Sequence, residues 1–427
     1  MASEQDAATR LAAVVRQVLG VDELPVRLRA WDGSVAGPPG APLVAVRDRR
    51  ALRRLVWAPG ELGFGRAYVA GEVDLEDDLF ATLAALTSTG RLSAADGAPA
   101  PGLRERAGLV ATAARLGALG PEPAPPPEEV RLRRFGRRHS RVRDAAVVAH
   151  HYDVGNDFYR LVLGPSLVYS CAVWESPATG LDAAQEAKLD LVCRKLGVGP
   201  GARLLDVGCG WGSLALHAAQ RYGADVVGVT LSRAQADLAR ERAADAGLAG
   251  RVEIRVQDYR DVADGPFDAI ASVGMAEHVG ARRMPGYVRA LHDLLRPGGR
   301  LLNHAIAWNA GPTGWDGDTF IARFVFPDGE LLSLADTVAA LEDGGLEALD
   351  VEALRRHYGL TLRAWVERLE KHWDAAVAVA GAGRARVWRL YMAASALAFE
   401  RGVMGVNQVL VRRPGGEEPP LRLRSWP

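Results

Sequence analysis

Residues 204–212 read Leu-Leu-Asp-Val-Gly-Cys-Gly-Trp-Gly, and this stretch decides the fold of the chain. An apolar strand predicted at 203–207 leads directly into the loop, where glycine occupies every second position, and a helical pattern follows at 213–221. Glycine lets a ligand approach the backbone where a Cβ atom would collide with it. A strand, a glycine-rich loop and a helix in this order predict a nucleotide-type pocket at the carboxyl edge of a parallel sheet.

Strands and helices alternate on both sides of this loop. We predict strands at 203–207, 225–229, 252–256, 267–272 and 300–304, and helices at 213–221, 234–246 and 284–295. This alternation predicts an α/β fold with a doubly wound, mostly parallel sheet, because right-handed crossovers place helices on both faces. Residues 316–400 break the pattern, and their long, tryptophan-rich helical stretch predicts a lipid-binding lid over the carboxyl edge of the sheet.

The remaining segments predict a smaller domain, a linker and a tail around a catalytic domain at 145–412. Residues 1–90 are expected to form a small α+β accessory domain for docking or packing, and residues 413–427 a loose tail. Residues 91–144 read as a Pro-rich and Arg-rich linker, whose arginines are either solvated or bind anionic lipid headgroups. These arginines are Arg131, Arg133, Arg134, Arg137, Arg138, Arg141 and Arg143.

Composition narrows the classes of function. The chain has 427 residues, and its 52 Lys and Arg residues balance 52 Asp and Glu residues, so the net charge predicts no nucleic-acid partner. Cys171, Cys193 and Cys209 have no paired spacing for zinc or for a disulfide scaffold, so we expect no metal and a reducing, cytoplasmic location. No apolar run is long enough to cross a bilayer, so membrane contact would be peripheral, at the inner face.

The acidic residues near the loop distinguish between two cofactor classes. A dinucleotide dehydrogenase has an acid at the end of the second strand, which holds the ribose. Here that strand ends in Gly-Val-Thr-Leu-Ser at 228–232, whereas Asp206 ends the first strand and Asp258 follows the third. This placement suits S-adenosylmethionine, because its sulfonium is cationic and its adenine amino group needs an acceptor. The sequence therefore predicts a methyltransferase.

Several longer motifs resemble the cyclopropane-fatty-acyl-phospholipid synthase family. They lie at 151–159, 169–174, 228–235, 257–261, 274–280 and 326–329, in collinear order with the glycine loop. The resemblance covers about residues 145–412. It implies an enzyme that alkylates a cis double bond in a phospholipid acyl chain with the methyl group of S-adenosylmethionine.

The resemblance also implies two sets of site residues. The cofactor-binding set is Tyr169, Ser170, Asp206, Gly208, Gly210, Trp211, Gly212, Thr230, Gln235, Asp258 and Tyr259. The second set would hold a bicarbonate ion as catalytic base, and consists of Cys171, Glu277, His304, Tyr358 and the backbone of Ile306. Taken singly, these residues also fit structural roles, such as a buried thiol, a helix-start acid or a core histidine.

The sequence leaves two products open. Loss of a proton from the transferred methyl group closes a cyclopropane ring, whereas a hydride shift before proton loss gives an exocyclic methylene. The family usually has Phe before its Glu-His pair, and this chain has Ala276. The residues at 303–304, 326–331 and 387–395 resemble an actinobacterial branch that makes 10-methylene and 10-methyl acids such as tuberculostearic acid. We therefore expect the methylene product, with a separate reductase completing the methyl branch.

Two other classes of function stay open at this stage. One is a methyltransferase for a soluble small molecule, and the other is a non-catalytic cofactor-binding subunit of a lipid-modifying complex. The expected partners are unsaturated phospholipid acyl chains, the membrane surface and the reductase. A second copy of the chain, in a homo-oligomer, is a further partner that the sequence leaves open.

Overall fold

The computed structural model describes residues 6–88, 103–130, 139–152, 154–309 and 319–419. The predicted arginine cluster falls mostly outside the described residues, which include only its members Arg141 and Arg143. The chain divides into a first unit, Met1–Arg131, Trp315–Pro327 and Trp373–Ala398, and a second unit, Leu132–Gly314, Asp328–His372 and Phe399–Pro427. Among the helices of these described ranges, none is both long and apolar enough to cross a membrane.

The helices and strands are numbered in chain order. The helices are α1 (Ala7–Leu19), α2 (Arg50–Trp57), α3 (Glu61–Val69), α4 (Leu79–Thr87), α5 (Leu103–Arg115), α6 (Arg141–Tyr152), α7 (Asn156–Leu163), α8 (Leu181–Leu196), α9 (Ser213–Tyr222), α10 (Arg233–Asp245), α11 (Ala276–Val279), α12 (Met284–Leu294), α13 (Phe320–Phe324), α14 (Leu334–Asp343), α15 (Arg355–Lys371), α16 (Trp373–Ala380) and α17 (Ala382–Glu400). The strands are β1 (Arg27–Arg29), β2 (Val35–Ala36), β3 (Leu43–Val46), β4 (Val73–Leu75), β5 (Arg203–Val207), β6 (Asp225–Thr230), β7 (Val252–Val256), β8 (Phe267–Val273), β9 (Leu295–Trp308), β10 (Glu347–Ala353) and β11 (Met404–Arg412).

The second unit contains a seven-stranded sheet in the order β10-β11-β9-β8-β5-β6-β7. Strands β5 to β9 pair in parallel, and β11 pairs antiparallel with both β9 and β10. The chain leaves β5 toward β6 on one side and returns to β8 on the other, which places a topological switch point at the carboxyl end of β5. The structure thus confirms the predicted doubly wound, mostly parallel sheet.

Both faces of this sheet are covered by helices. Adjacent residues of β5 point to opposite faces, and Leu204 and Leu205 are both fully buried. Leu204 packs in a cluster with apolar residues of α8, α9 and α10, such as Val192 and Ala239. Leu205 packs in a second cluster with residues of α12 and α14, such as Val288. Burial on both faces explains why the strands read as continuous apolar runs.

Strand β9 begins earlier than the sequence predicts. The Pro297-Gly298-Gly299 stretch, which precedes the strand predicted at 300–304, lies within β9. The backbone of Arg413, just after β11, bonds to it twice: its carbonyl accepts from the Gly298 N–H at 2.9 Å and its N–H donates to the Gly299 carbonyl at 2.9 Å. This pairing comes from residues more than 100 positions away, so the local sequence does not reveal it.

The first unit contains a four-stranded sheet in the order β2-β1-β3-β4, with α1 to α5 in the same unit. Its extent corrects the predicted linker at 91–144, because α5 and the Pro-rich tract that follows belong to this unit. Ala113, at the buried face of α5, is fully covered. Arg53 donates to the Ala118 carbonyl at 3.1 Å, and Arg54 donates to the Ala124 carbonyl at 2.9 Å. Hydrogen bonds from arginines of α2 therefore fix the Pro-rich tract, whose composition predicted a linker.

Residues 316–400 do not form one helical lid. The stretch 328–372 belongs to the second unit and includes β10, which pairs with β11 in the large sheet. The stretch 373–398 belongs to the first unit, where Arg386 of α17 donates to the Tyr68 carbonyl at 3.2 Å and to the Asp74 carboxylate at 3.1 Å. Long-range strand pairing and these arginine contacts, rather than local helical pattern, decide how the segment is divided.

Candidate active site

A cavity of about 300 Å³ lies at the carboxyl ends of β5, β6 and β8. Ten of the eleven residues predicted to bind the cofactor line it, namely Tyr169, Ser170, Asp206, Gly208, Gly210, Trp211, Thr230, Gln235, Asp258 and Tyr259. Gly212 does not line the cavity. A Cβ atom at Gly212 would lie 3.0 Å from the Cβ of Ala239, so this glycine allows α9 to approach α10.

The glycine loop leaves space for a ligand next to its backbone. Gly208 has φ +79° and Gly210 has φ +54°, a backbone conformation that residues with a side chain rarely adopt. A Cβ atom at Gly208 would lie 2.5 Å from the Met275 sulfur, so no larger residue fits there without displacement of that side chain. The conformation and the close approach together explain why glycine stands at this position.

Hydrogen bonds fix the polar rim of the cavity at the ends of β6 and β7. The Thr230 hydroxyl donates to the Gln235 side-chain oxygen at 3.0 Å, and Ser232 caps α10 by accepting from the Gln235 N–H at 3.3 Å. Burial alone would raise the pKa of Asp258, but hydrogen bonds from Arg260 outweigh it and hold that pKa below its usual range. The rim therefore offers an ionised carboxylate and a set of fixed hydroxyl and amide groups.

A buried lysine, Lys188, and a buried aspartate, Asp206, line the same cavity. Burial raises the pKa of Asp206 to about 7, and the charge of Lys188 opposes this shift. Burial lowers the pKa of Lys188 to about 8, and its ammonium donates to the Ser170 hydroxyl at 3.0 Å. The sequence reasoning missed Lys188. The sequence pattern that could have revealed it is its position on α8. Lys188 lies next to Leu189 and Val192 on the apolar stripe of this helix, where a solvated side chain is not expected.

Glu277 lies in the first turn of α11 and is bound by the backbone of β9. Its Oε1 accepts from the Ile306 N–H at 2.8 Å, whereas its buried Oε2 has no hydrogen-bond partner among the described residues. Burial raises the pKa of Glu277 to about 7, although the hydrogen bond from Ile306 acts in the opposite direction. The carboxyl group is thus half satisfied and titrates near neutral pH.

His304 lies on β9, two residues before Ile306, and is held by a polar side chain of β11. The Gln408 amide nitrogen lies 3.3 Å from His304 Nδ1, and because an amide NH₂ group can only donate, Nδ1 accepts. Burial lowers the pKa of His304 to about 3, so the ring is neutral and carries its proton on Nε2. That buried Nε2 has no partner among the described residues.

Cys171 and Tyr358 are joined to the same strands through the start of α15. The Cys171 thiol donates weakly to the Leu354 carbonyl at 3.7 Å, and burial raises its pKa, so it stays protonated. The Leu354 N–H donates to the Val406 carbonyl at 2.8 Å, and Val406 pairs with Ile306 across β11 and β9. The Tyr358 N–H donates to the Leu354 carbonyl at 3.2 Å. The centroid of the Tyr358 ring lies 4.6 Å from the centroid of the Phe399 ring.

We call Cys171, Glu277, His304, Ile306 and Tyr358 the polar cluster. None of its members lines the cavity, but residues near Cys171 and Glu277 do. Ser170 precedes Cys171, and Met275 and His278 lie on either side of Glu277 in the sequence. The polar cluster contains two buried polar atoms, Glu277 Oε2 and His304 Nε2, without a hydrogen-bond partner among the described residues.

The raised pKa of Glu277 gives a prediction about stability in ligand-free protein. Between the unfolded pKa of 4.5 and the folded pKa of about 7, the folded state binds the Glu277 proton more tightly than the unfolded state does. The stability that this proton contributes is therefore lost as pH rises through 7. Glu277→Gln cannot ionise, so it removes this pH-dependent loss of stability, and it keeps an acceptor for the Ile306 N–H. Urea unfolding should show that the stability of the variant relative to wild type rises by about 2–3 kcal/mol between pH 5 and pH 8. Glu342→Gln, an exposed carboxylate on α14, serves as the control, and equal slopes for both variants would contradict the prediction.

Comparisons with known proteins agree with this geometry. Residues 139–409 match the family described as mycolic acid cyclopropane synthetase. The chain is 41% identical to the probable fatty acid methyltransferase Rv3720 of Mycobacterium tuberculosis, over 97% of this chain and 98% of that protein. It is 35% identical to the tuberculostearic acid methyltransferase UfaA1 of the same organism, over 95% of this chain and 92% of that protein.

A solved structure extends the match to the fold. The mycolic acid cyclopropane synthase CmaA1, complexed with SAH and CTAB, is 33% identical and superposes with a TM-score of 0.59, covering 63% of this chain and 98% of that one. The prediction of S-adenosylmethionine as the cofactor is confirmed. The chain belongs to the mycolic acid cyclopropane synthetase family and is an S-adenosylmethionine-dependent methyltransferase.

Proposed function

We propose that this enzyme methylates the cis double bond of an unsaturated phospholipid acyl chain and forms a methylene-branched product. The observation that carries the proposal is the polar cluster, whose Glu277 follows cavity-lining Met275 by two residues and which contains two buried polar atoms without a partner among the described residues. An alkene is a weak nucleophile, so its alkylation requires close positioning of the reactants and a dry site with a base nearby. A methyltransferase for amines or hydroxyl groups needs no such buried cluster.

Bicarbonate fits the polar cluster chemically. Its hydroxyl would donate to Glu277 Oε2, and its oxygens would accept from the proton on His304 Nε2 and from the Tyr358 hydroxyl. When bound, it would supply a weak base beside the reacting carbon. The Ile306 N–H donates to Glu277 and orients the carboxyl group, so Glu277 serves as the acceptor that fixes the ion.

The remaining roles follow from the chemistry of each group. Gly208 and Gly210 would admit the methionine and ribose portions of the cofactor, because no side chain stands in the way. Asp258 and Tyr259 would contact the adenine, and Thr230 with Gln235 the ribose. The Cys171 thiol, neutral and buried, would close the cluster against water.

Two observations favour the methylene product. The relatives that match nearly the whole chain include a tuberculostearic acid methyltransferase, whose name indicates a methyl-branched acid. Ala276 is buried and directly precedes Glu277, so the volume at this position bears on where the carboxyl group lies. A separate reductase would then complete the methyl branch.

A cyclopropane ring is the second candidate product. The family description and the CmaA1 structure both refer to cyclopropane synthesis. The two products share the methyl-transfer step and differ in whether a hydride shift or ring closure follows it, so one experiment distinguishes them.

The test uses purified full-length enzyme, S-adenosylmethionine, bicarbonate and vesicles of dioleoyl phosphatidylglycerol, without any reductant. We expect mass spectrometry to show a mass gain of one CH₂ group per modified chain, and proton NMR to show vinylidene signals. Cyclopropane signals would establish the second product instead. Unaltered oleoyl chains, in the presence of protein that binds S-adenosylmethionine, would overturn the proposed substrate.

The same experiment addresses location and the soluble-substrate alternative. We propose that the enzyme acts at the inner face of the cytoplasmic membrane by peripheral contact. Vesicle sedimentation should therefore carry the enzyme down with the lipid. Equal turnover of a short-chain, monomeric unsaturated ester and no sedimentation would favour a soluble substrate.

A further inference from the structure

Helix α8 clamps the segment that joins the cofactor cavity to the polar cluster. The Gln185 amide donates to the Ser170 carbonyl at 3.0 Å, and Lys188, one turn later, donates to the Ser170 hydroxyl at 3.0 Å. Ser170 lines the cavity, and the next residue is Cys171 of the polar cluster. Two side chains of one helix face thus fix both groups of the residue at which the two sites meet.

Lys188 is also a buried cation without an ion-pair partner. Its side chain is 2% exposed, and no carboxylate among the described residues lies within 4.0 Å of it. The other buried lysine of this helix, Lys195, is paired: its ammonium lies 2.5 Å from the Glu352 carboxylate. An unpaired buried charge costs free energy, so Lys188 requires a compensating anion nearby. Asp206, which lines the same cavity, supplies part of the compensating negative charge without a direct contact.

The polar cluster, by contrast, lacks a positive charge. It contains a thiol, a phenol, a neutral imidazole, a backbone N–H and one carboxyl group, and none of these is a cation. An anion that binds there brings a negative charge into a buried site, which is unfavourable without a positive charge in range. Lys188 lies within electrostatic range of the cluster, because its charge lowers the pKa of both Cys171 and His304. Its hydrogen bond to Ser170 places its ammonium next to the residue that precedes Cys171.

We infer that Lys188 is a positioning residue whose ammonium balances the charge of the small anion in the polar cluster and, through Ser170, holds that cluster against the cofactor cavity. Lys188 does not touch the reacting atoms. Its role is to make an otherwise neutral or acidic pocket able to retain an anion such as bicarbonate. The inference rests on the anion site of the proposed function.

The test measures bicarbonate binding directly. Enzyme loaded with S-adenosylhomocysteine is titrated with ¹³C-labelled bicarbonate at pH 7.5, at constant ionic strength, and the bound signal is followed by ¹³C NMR. Lys188→Met removes the charge at similar length, and Lys188→Arg keeps it. We expect Lys188→Met to weaken bicarbonate binding by at least about tenfold, because two opposite buried charges interact strongly at short range. Lys188→Arg should stay within about threefold of wild type.

Each outcome decides one point. Unchanged bicarbonate affinity in Lys188→Met, with an unchanged melting temperature, overturns the inference. So does a loss in Lys188→Arg as large as that in Lys188→Met, because charge would then not be the cause. Methyl transfer to oleoyl lipid is measured in parallel on wild type. Lipid methylation without bicarbonate binding removes this inference and leaves the proposed substrate intact. Bicarbonate binding without lipid methylation supports the inference and removes the proposed substrate.

Discussion

Glu277→Gln is expected to reduce kcat for methyl transfer by roughly 10²–10⁴-fold, the range for removal of a positioned acid–base group. Glutamine keeps the acceptor for the Ile306 N–H, so the backbone of β9 stays in place. It replaces the partnerless Oε2 with an atom that can be an NH₂ donor, and a donor there would face the hydroxyl of a bound bicarbonate. The loss therefore falls on turnover, since Glu277 lies outside the cofactor cavity.

Single-turnover methyl transfer to oleoyl vesicles measures this effect, and calorimetry with S-adenosylhomocysteine measures cofactor affinity separately. The cofactor affinity of Glu277→Gln should stay within about twofold of wild type, as for an exposed control, Glu342→Gln. Near-normal turnover in Glu277→Gln would contradict a role for this carboxyl group. Lost cofactor affinity would instead place Glu277 in the cofactor site.

Gly208→Ala is expected to weaken S-adenosylhomocysteine binding by at least about tenfold, which corresponds to about 1.4 kcal/mol. The new Cβ atom would lie 2.5 Å from the Met275 sulfur, so either the loop or Met275 must move at the wall of the cavity. This movement would disturb the surface proposed to contact the cofactor. The left-handed backbone also costs a residue with a side chain about 1–2 kcal/mol, which lowers stability in free and bound protein alike.

Gly247→Ala is the matched control, because Gly247 also has a positive φ, +68°, and a Cβ atom there would contact nothing within 4 Å. It should lower stability by a similar backbone cost and leave cofactor affinity unchanged. If both variants bind the cofactor like wild type, the close approach at Gly208 has no functional meaning. If both lose affinity equally, general destabilisation is the cause.

The parts of the fold that follow from local pattern were predicted well. Strands β5 and β7 have the predicted bounds, and the predicted helix at 284–295 corresponds to α12. These elements lie in the parallel half of the sheet, where β5, β6 and β8 are each followed by a helix. Apolar runs bounded by glycine and polar residues suffice to mark such elements.

The antiparallel half of the sheet was not predicted, and Gln408 illustrates the reason. A glutamine at the centre of a strand argues against burial, yet Gln408 is fully buried because its amide bonds to His304. The same holds for Lys188 on α8. From the sequence alone, such a polar residue looks like a break in an apolar pattern. It is seen to belong to a site only when the fold places its partner beside it, Ser170 for Lys188 and His304 for Gln408.

The first unit is built from three separate stretches of the chain, and this affects how the chain folds during synthesis. Tyr68 and Asp74 are bound by Arg386, more than 300 residues later, so the amino-terminal residues emerge from the ribosome long before their partners exist. Contacts of such high sequence separation slow folding and leave apolar surface exposed in the interval. The nascent amino-terminal segment therefore depends on chaperones or on rapid completion of the carboxyl-terminal helices. A fragment that ends before α17 would lack these contacts and should aggregate.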